Sequence, residues 1–251
     1  MNTGKITLIG AGPGDPDLLT IKGMKALQSA DVVLYDALAN HELFKYTPNQ
    51  CIYINVGKRA NQPCPSQEEI NHLLVEYAFK YENVVRLKGG DPIVFGRGME
   101  EADYARQFEI EVEIIPGVSS CIAAPALANI PVTKRGIAES FWVITGHTQN
   151  GKVSEDLIHA SKSNATIVIL MGLGHLSEIM DLFLNQKKGD LPVGIIQNGT
   201  RRDQNVILGK IKDIESLKSR LVKNMPGVIV IGEVVNHAIT AELAEVYFER
   251  N

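Results

Sequence analysis

The sequence predicts an α/β protein built from two α/β domains, and three features of the chain support that prediction. Short apolar runs alternate with amphipathic helical segments along the 251 residues, which is typical of α/β architecture. Glycine-rich turns follow nearly every apolar run. The dipeptide Pro116-Gly117 interrupts the chain after the first set of strands, so we expect domains at 1–115 and 116–251.

The first domain is expected to carry a mainly parallel sheet. Its candidate strands are apolar and bounded by turn residues: Lys5–Gly10, Val32–Asp36, Cys51–Val56, Val84–Lys88 and Glu111–Ile115. Amphipathic spacing predicts helices between them: Asp17–Ser29, Glu42–Tyr46, Ser66–Tyr81 and Gly98–Phe108. Asp15 before Pro16 is typical of a helix start, and Ser66 with Glu69 matches a capping box.

The second domain is expected to carry a mixed sheet, which follows a small-residue helix at Ser119–Ala128. Its candidate strands are Phe141–Thr145, Thr166–Met171, Val193–Gln197, Val206–Lys210 and Val228–Gly232. Its other candidate helices are Ser154–Ser161, Leu176–Asn185 and Ile214–Val222. Only a polar loop separates 193–197 from 206–210, so these two strands are predicted to form an antiparallel hairpin.

Composition and charge argue against several classes of function. A net charge of −4 and a pI near 5.9 give no general attraction to nucleic acid or to an anionic membrane. The 3 cysteines form no C-x-x-C pair and the 6 histidines show no ligand spacing, so we predict no metal and no disulfide framework. The apolar runs are too short for a signal peptide or for a membrane span of ~20 residues, which favours a cytoplasmic protein.

The turn Gly10–Pro16 nearly matches the dinucleotide-binding fingerprint and then departs from it. It follows a strand and precedes a helix. The next strand ends in Asp36, and the distance from the glycines to this aspartate is close to the ~20 residues that the fingerprint requires. However, Asp15 replaces the third glycine, and the prolines at 13 and 16 remove N–H groups that a pyrophosphate needs. A ligand other than NAD is therefore expected, and a non-catalytic nucleotide-binding protein stays as an alternative.

A second motif, Arg86–Gly98, leaves a strand through Gly89-Gly90 and then presents Asp91. In one interpretation Asp91 only bonds the backbone of its own turn. In the other, the glycine backbone lies against a flat ligand and Asp91 bonds a hydroxyl or amine of it. Ligands of open α/β sheets bind at the carboxyl ends of the strands, where this motif and most of the other glycine turns are predicted to lie.

Taken in order, the motifs resemble those of the tetrapyrrole methylases. The matching segments extend along nearly the whole chain: Gly10–Thr20, Tyr35-Asp36, Val56–Arg59, Arg86–Gly98, Pro116–Ser120, Ile130–Thr133, Thr145–His147, Met171–Leu173 and Asn198–Thr200. Several motifs in order are far more selective than any one of them. The forms of Val56–Arg59 and Arg86–Gly98 are most similar to those of members that act on uroporphyrinogen III.

The resemblance implies the tetrapyrrole methylase fold, with S-adenosylmethionine bound in a cleft between the two domains and S-adenosylhomocysteine as its product. It assigns the cofactor contacts to Pro13, Gly89, Gly90, Asp91, Val94, Ser119, Ser120, Met171 and Gly199. The sequence departs from the family's usual phenylalanine at Ile93, glycine at Met99 and threonine-alanine at Ser119-Ser120. These departures concern the fit of the substrate more than that of the cofactor.

The resemblance also implies a reaction, two successive methylations of uroporphyrinogen III at ring positions 2 and 7 that give precorrin-2, a precursor on the siroheme, cobalamin and haem d1 branch. An electron-rich pyrrole carbon displaces the methyl group from the sulfonium, so positioning and exclusion of water are the enzyme's main tasks. By resemblance Asp36 is the proton acceptor and Lys58 the proton donor. Considered without the resemblance, Asp36 is a strand-end turn residue and Lys58 a solvated loop cation.

Because uroporphyrinogen III carries eight carboxylates, we expect basic side chains at its binding site. The candidates are Arg59, Arg97, Lys134 and Arg135, among which arginine suits paired contacts with carboxylates. The competing interpretation is a solvated basic rim. A later precorrin C-methyltransferase of cobalamin synthesis is the nearest alternative function, and the resemblance implies a homodimer.

Overall fold

The computed structural model describes residues 3–57 and 65–238. Contacts divide the chain into two units, Met1–Ser119 and Ser120–Asn251, each of which contains one five-stranded sheet. Lys58 and Arg59 lie outside the described residues. Within the described part of the chain, no helix is long and apolar enough to cross a membrane.

The N-terminal sheet is parallel throughout, as its alternation of strands and helices predicted. Its strands are β1 (Lys5–Gly10), β2 (Val32–Tyr35), β3 (Ile52–Asn55), β4 (Asn83–Lys88) and β5 (Val112–Ile115). They lie in the order β3-β2-β4-β1-β5, with every neighbouring pair parallel. The carboxyl ends of all these strands therefore meet at one edge of the sheet.

The helices of this unit are α1 (Ile21–Leu27), α2 (Gln67–Ala78) and α3 (Gly98–Arg106). The single helix predicted at Asp17–Ser29 is wrong in its first turn, where a 3-10 helix at Pro16–Leu18 precedes α1. Thr20 separates the two because its backbone is extended and its hydroxyl accepts from Gly23 N at 3.1 Å, which caps α1. A second 3-10 helix, His41–Tyr46, replaces the short helix predicted there.

The capping box predicted at the start of α2 is confirmed. The Ser66 hydroxyl accepts from Glu69 N at 3.1 Å, and the Glu69 carboxylate accepts from Ser66 N at 2.6 Å. The predicted cap at Asp15 is also present, and it accepts from Asp17 N at 2.9 Å at the start of the 3-10 turn. These local contacts depend only on neighbouring residues, which is why the sequence pattern identifies them.

Side chains of the N-terminal sheet pack into two cores because successive strand residues point to opposite faces. Ile6, Leu8, Val32, Leu34 and Val84 join residues of α2 and α3 in one core. Ile9, Val33, Val85, Leu87 and Ile115 join Leu27 and Leu43 in the other. By the same alternation, Arg86 and Lys88 of β4 are placed on the face that α2 and α3 cover.

The C-terminal sheet is mixed, as predicted. Its strands are β6 (Phe141–Thr145), β7 (Thr166–Leu170), β8 (Pro192–Gln197), β9 (Asn205–Lys210) and β10 (Gly227–Ile231), in the order β6-β7-β10-β8-β9. Only β6 and β7 pair in parallel among these neighbours. The predicted hairpin is confirmed, with β8 and β9 antiparallel from Pro192 opposite Lys210 to Gln197 opposite Asn205.

The helices of the C-terminal unit are α4 (Ser120–Leu127), α5 (Asp156–Lys162), α6 (Leu176–Asn185) and α7 (Ile214–Ser219). Residues of α5, α6 and α7 form one large core with strand residues such as Ile169, Ile195 and Ile229. Helix α4 contacts β7 and β10. This packing leaves the loops after β6 and β7 at the carboxyl ends of a parallel pair, where the sequence places Gly146 and Met171.

Candidate functional site

Backbone loops gather at the carboxyl end of the N-terminal sheet. Because β1 lies between β4 and β5 and all three are parallel, the loops that follow them leave the sheet at the same edge. Gly12 N donates to the Gly90 carbonyl at 3.2 Å, and Gly90 N donates to the Gly12 carbonyl at 2.7 Å. The loop after β1 is thereby joined to the loop after β4.

Glycine is required where these loops meet, because no side chain fits. A Cβ on Gly10 would lie 2.5 Å from Gly117 N and 2.6 Å from the Gly90 carbonyl oxygen. A Cβ on Gly117 would in turn lie 2.6 Å from the Gly10 Cα. The loops therefore meet backbone against backbone, which is an arrangement that also lets a ligand approach the main chain closely.

Asp91 ties the loop after β4 to the loop after β5. Its Oδ2 accepts a hydrogen bond from Gly117 N at 3.0 Å. Its Oδ1 accepts from Ile93 N at 2.9 Å and from Val94 N at 3.3 Å. The turn-forming interpretation of Asp91 therefore describes its observed contacts, and they fix the backbone of the glycine loops in place.

Arg97 lies on the exposed segment that joins this loop to α3. Its backbone has a left-handed φ of 60°, and its guanidinium donates from Nε and Nη2 to the two carboxylate oxygens of Glu100 at 2.9 and 2.6 Å. Both side chains are about half exposed, so the pair contributes ~0–1 kcal/mol and can be exchanged for another carboxylate. Exposed apolar side chains surround it in the sequence: Ile93, Phe95 and Met99.

Asp36 follows β2 at the same edge and pairs with Arg86 of β4. The Asp36 Oδ1 lies 2.5 Å from Arg86 Nη2. The aspartate side chain is 29% exposed, whereas that of Arg86 is only 2% exposed. Asp36 thus keeps a surface open to a ligand while its partner is held inside the unit.

Arg86 is itself held by the buried Glu101 of α3, whose Oε1 accepts from Arg86 Nε at 3.1 Å. The sequence patterns include Arg86 only as the first residue of the Arg86–Gly98 motif, and they do not include Glu101. The sequence does contain one indication of this cluster, since Arg86 and Lys88 stand at alternate positions of an otherwise apolar strand. Such side chains are rarely buried without partners, so this pattern indicates a buried carboxylate nearby. Metal-ligand clusters of three or more His, Cys, Asp or Glu side chains do not occur within 3–57 and 65–238.

The sequence matches a known protein family over most of its length. The profile of the tetrapyrrole (corrin/porphyrin) methylases matches residues 5–215. The chain belongs to the tetrapyrrole methylases. The uroporphyrinogen-III C-methyltransferase of Methanocaldococcus jannaschii is 50% identical over 237 residues, which are 93% of this chain and 98% of that protein.

Solved structures agree with the family assignment. The uroporphyrin-III C-methyl transferase of Thermus thermophilus complexed with S-adenyl homocysteine superposes with a TM-score of 0.80 at 33% identity, over 93% of this chain and 99% of that chain. A cobalt precorrin-4 methyltransferase of cobalamin biosynthesis superposes with a TM-score of 0.81 at 28% identity, over 92% and 95% of the two chains. The predicted tetrapyrrole methylase fold is thus confirmed.

In this tetrapyrrole methylase the predicted cofactor residues divide between the two units. The loops of the first unit bring together those at the carboxyl edge of its sheet: Pro13, Gly89, Gly90, Asp91 and Val94, with the buried Ser119 at the unit's end. Ser120, Met171 and Gly199 belong to the second unit. A Cβ on Gly199 would lie 3.2 Å from the Ala124 Cα and nearer still to its Cβ, so α4 and the loop after β8 are in close contact.

Met171 of this tetrapyrrole methylase follows β7 in a left-handed conformation, with φ 56° and a half-exposed side chain. Its carbonyl lies 3.1 Å from the His147 Nδ1. A Cβ on Gly146 would meet Gly172 N at 2.7 Å, so the loops after β6 and β7 also meet backbone against backbone. The predicted substrate residues Lys134 and Arg135 are exposed in the second unit, where Lys134 Nζ lies 3.4 Å from His237 Nδ1.

Proposed function

We propose that this protein is an S-adenosylmethionine-dependent uroporphyrinogen-III C-methyltransferase that methylates ring positions 2 and 7 to give precorrin-2. The proposal is carried by the similarity to the Methanocaldococcus jannaschii protein of that name, which shares 50% sequence identity with this chain over 98% of its own length. The solved structure of the Thermus thermophilus uroporphyrin-III C-methyl transferase, which contains S-adenyl homocysteine, supports the cofactor.

The glycine loops of the first unit fit this cofactor. Gly10, Gly90 and Gly117 leave no room for a Cβ, so a ligand can lie against bare main chain there. The residues proposed to hold the cofactor lie in or next to these loops and in the second unit. They are Pro13, Gly89, Asp91, Val94, Ser119, Ser120, Met171 and Gly199. The bound cofactor supplies an electrophilic methyl group, and the chain's residues orient the substrate and exclude water.

Asp36 is proposed as the proton acceptor of the reaction. Loss of a ring proton after methylation requires a base, and the carboxylate form of Asp36 is the form that pairs with Arg86. Its partial exposure leaves the carboxylate accessible to substrate. Lys58, outside the described residues, is proposed as the proton donor on the strength of the family resemblance.

Exposed cations are proposed to bind the carboxylates of the substrate. Arg97 presents a fork that already binds one carboxylate in two-point fashion, that of Glu100. A substrate carboxylate can replace this exposed partner at little cost in free energy. Lys134 and Arg135 of the second unit and Arg59, outside the described residues, complete the proposed set.

The decisive experiment is anaerobic incubation of the purified protein with uroporphyrinogen III and S-adenosylmethionine, followed by mass spectrometry. A product heavier by two methyl groups is expected. Recovery of unchanged uroporphyrinogen III would contradict the proposal. The same assay with precorrin-4 in its cobalt form tests the alternative that the second solved neighbour favours, a later precorrin C-methyltransferase. Methylation of that substrate alone would establish the alternative.

The proposal includes a homodimer in the cytoplasm, supported by the family resemblance. Light scattering coupled to size-exclusion chromatography measures the mass of the assembly directly. A mass of twice the 27.5 kDa chain is expected, and the mass of a single chain would contradict the dimer.

A further inference from the structure

The proposed proton acceptor, Asp36, belongs to a cluster of four charged side chains whose other three members are buried. Beyond the Asp36–Arg86 and Arg86–Glu101 pairs, the Lys88 Nζ donates to Glu101 Oε1 at 2.8 Å. The Lys88 and Glu101 side chains are 3% and 0% exposed. Gln67 of α2 adds a neutral donor at 3.2 Å from the same oxygen. One carboxylate oxygen therefore accepts from three separate side chains.

The position of this cluster follows from strand alternation and register. Arg86 and Lys88 share the face of β4 that α2 and α3 cover, and Leu34 of β2 is paired with Arg86. Asp36 lies two residues beyond Leu34, immediately after the end of β2, and its side chain reaches Arg86 on that face. Glu101 stands on the buried side of α3 beside Ala102 and Ala105.

The cluster is electrically balanced, with two cations and two carboxylates. Burial makes this balance important, because a charge that loses its partner away from water is strongly unfavourable. Burial and the Arg86 charge lower the pKa of Lys88, while the charges of Glu101 and Asp36 act in the opposite direction. Lys88 and Asp36 therefore interact electrostatically, although Arg86 makes the direct contact with Asp36.

Two exposed charges near the cluster, both within the described residues, are paired with each other. Arg97 and Glu100, at the start of α3, bond one another, and each also interacts with a buried member, Arg97 with Glu101 and Glu100 with Lys88. The Oε2 of Glu101 has no hydrogen-bond partner among the described residues. An amide in its place would keep Oε1 on its three donors and put an NH2 group where no existing bond is broken.

We propose that Lys88 and Glu101 are positioning residues, which hold Arg86 against Asp36 and set the pH at which Asp36 can accept a proton. This proposal rests on the proposed role of Asp36 in methylation. Neither residue needs to touch substrate or cofactor. Lys88 favours the ionised form of Asp36, and Glu101 opposes it by taking up part of the positive charge of Arg86 and Lys88.

Charge-changing variants test the proposal through the acid limb of the pH profile of single-turnover methylation. Glu101→Gln leaves the two cations in excess, so the midpoint of the limb is expected to fall by about 0.5 to 1 pH unit. Lys88→Met leaves the carboxylates in excess, so the midpoint is expected to rise by about the same amount. The double variant restores the balance, and its midpoint is expected to return toward that of the wild type.

Matched controls separate this effect from general loss of structure. Lys80→Met and Glu76→Gln remove the same charges from an exposed pair at the C-terminal end of α2 and should leave the midpoint unchanged. Binding of S-adenosylhomocysteine, followed by calorimetry, reports whether each variant is folded. If Lys88→Met does not bind S-adenosylhomocysteine, Lys88→Gln is used in its place. If neither Lys88 variant binds it, the direction of the midpoint shift in Glu101→Gln decides the test.

Folded variants whose midpoints stay at the wild-type value, or move in the same direction, would overturn the proposal. An inactive wild type contradicts the proposed function instead. If the wild type is active and Asp36→Asn keeps the same acid limb in its pH profile, Asp36 is not the proton acceptor. The positioning role of Lys88 and Glu101 is then contradicted as well. The three failures are thus distinguishable.

Discussion

At the scale of single residues, Asp36 carries the most direct prediction. Asp36→Asn keeps an oxygen for Arg86 but cannot accept a proton, so turnover should fall at least about 100-fold. Binding of S-adenosylhomocysteine should change less than about threefold, because Arg86 and the glycine loops stay in place. Rapid-quench assays and calorimetry measure the two quantities. Equal losses in both would place Asp36 in the cofactor pocket.

The alanine variant is a poorer test of the same residue. Asp36→Ala removes one of the two carboxylate partners of buried Arg86 and leaves its Nη2 without an acceptor, which should destabilise the fold by about 1–3 kcal/mol. Loss of activity in that variant would mix chemistry with unfolding. The asparagine variant separates the two.

Gly117 gives a second prediction at this scale. Gly117→Ala forces its Cβ to within 2.6 Å of the Gly10 Cα, so the loops after β1 and β5 must separate. The variant should lose about 1–3 kcal/mol of stability and bind S-adenosylhomocysteine at least about tenfold more weakly. Gly174→Ala is the matched control, since nothing lies within 4 Å of the added Cβ. Cofactor affinity that survives in Gly117→Ala would show that the close approach is not needed.

The sequence makes Asp36 and the glycine loops candidates for the site, but it does not indicate that Arg86, Lys88 and Glu101 are partners of Asp36. Glycine turns and a strand-end aspartate are local patterns that can be read along the chain. The ion cluster depends on which strands are neighbours and on their register, since Leu34 must lie opposite Arg86 before Asp36 can reach it. Those pairings join residues that are far apart in the sequence.

At the scale of elements, the capping box of α2 predicts a pH-dependent effect. Hydrogen bonds from the Ser66 backbone and hydroxyl lower the pKa of Glu69. A carboxyl whose pKa is lower in the folded state stabilises the fold above its unfolded pKa and loses that effect as pH falls through the folded one. Glu69→Gln should therefore be less stable than the wild type at pH 7 and equally stable in acid. Denaturant unfolding at several pH values measures the difference.

Glu68→Gln is the control for that experiment, because Glu68 is exposed in the same helical turn and no hydrogen bond involves its carboxylate in the described contacts. Its stability should follow the wild type at each pH. A Glu69→Gln deficit that persists unchanged below the lowered pKa would contradict the role of the charged carboxylate.

Element positions were predicted well where local patterns are strong. Leu176–Asn185 was predicted to the residue, since its apolar side chains recur at helical spacing. The region from Asp17 onward was predicted as one helix, although Thr20 ends one turn and caps the next. A threonine within an amphipathic segment is compatible with both arrangements, so periodicity alone does not distinguish them.

At the scale of the whole molecule, ligand-induced stabilisation distinguishes a methyltransferase from a nucleotide sensor. S-adenosylhomocysteine at 100 times its Kd should stabilise the protein by about 2.7 kcal/mol and raise the Tm accordingly. NAD at the same concentration should leave the Tm unchanged, because the Gly10–Pro16 turn lacks the fingerprint's third glycine. Differential scanning calorimetry measures both. Stabilisation by NAD alone would favour the non-catalytic alternative.

The overall architecture was predictable only in part. Alternating strands and helices indicated the parallel sheet, and the short polar loop indicated the hairpin in the mixed one. The order β3-β2-β4-β1-β5 was not accessible, because the chain crosses over between distant strands and no local pattern records which edge each strand joins. That order is what places β4 and its buried cations in the middle of the sheet.

The balance of charge behind Asp36 also has a consequence for how this sequence can change over time. A single substitution that neutralises Lys88 or Glu101 leaves a net charge on the buried cluster, whereas the paired substitution removes both charges together. Positions 88 and 101 are therefore expected to covary among homologous sequences, or to be retained together. Drift at one of them alone should be rare, however distant the relative.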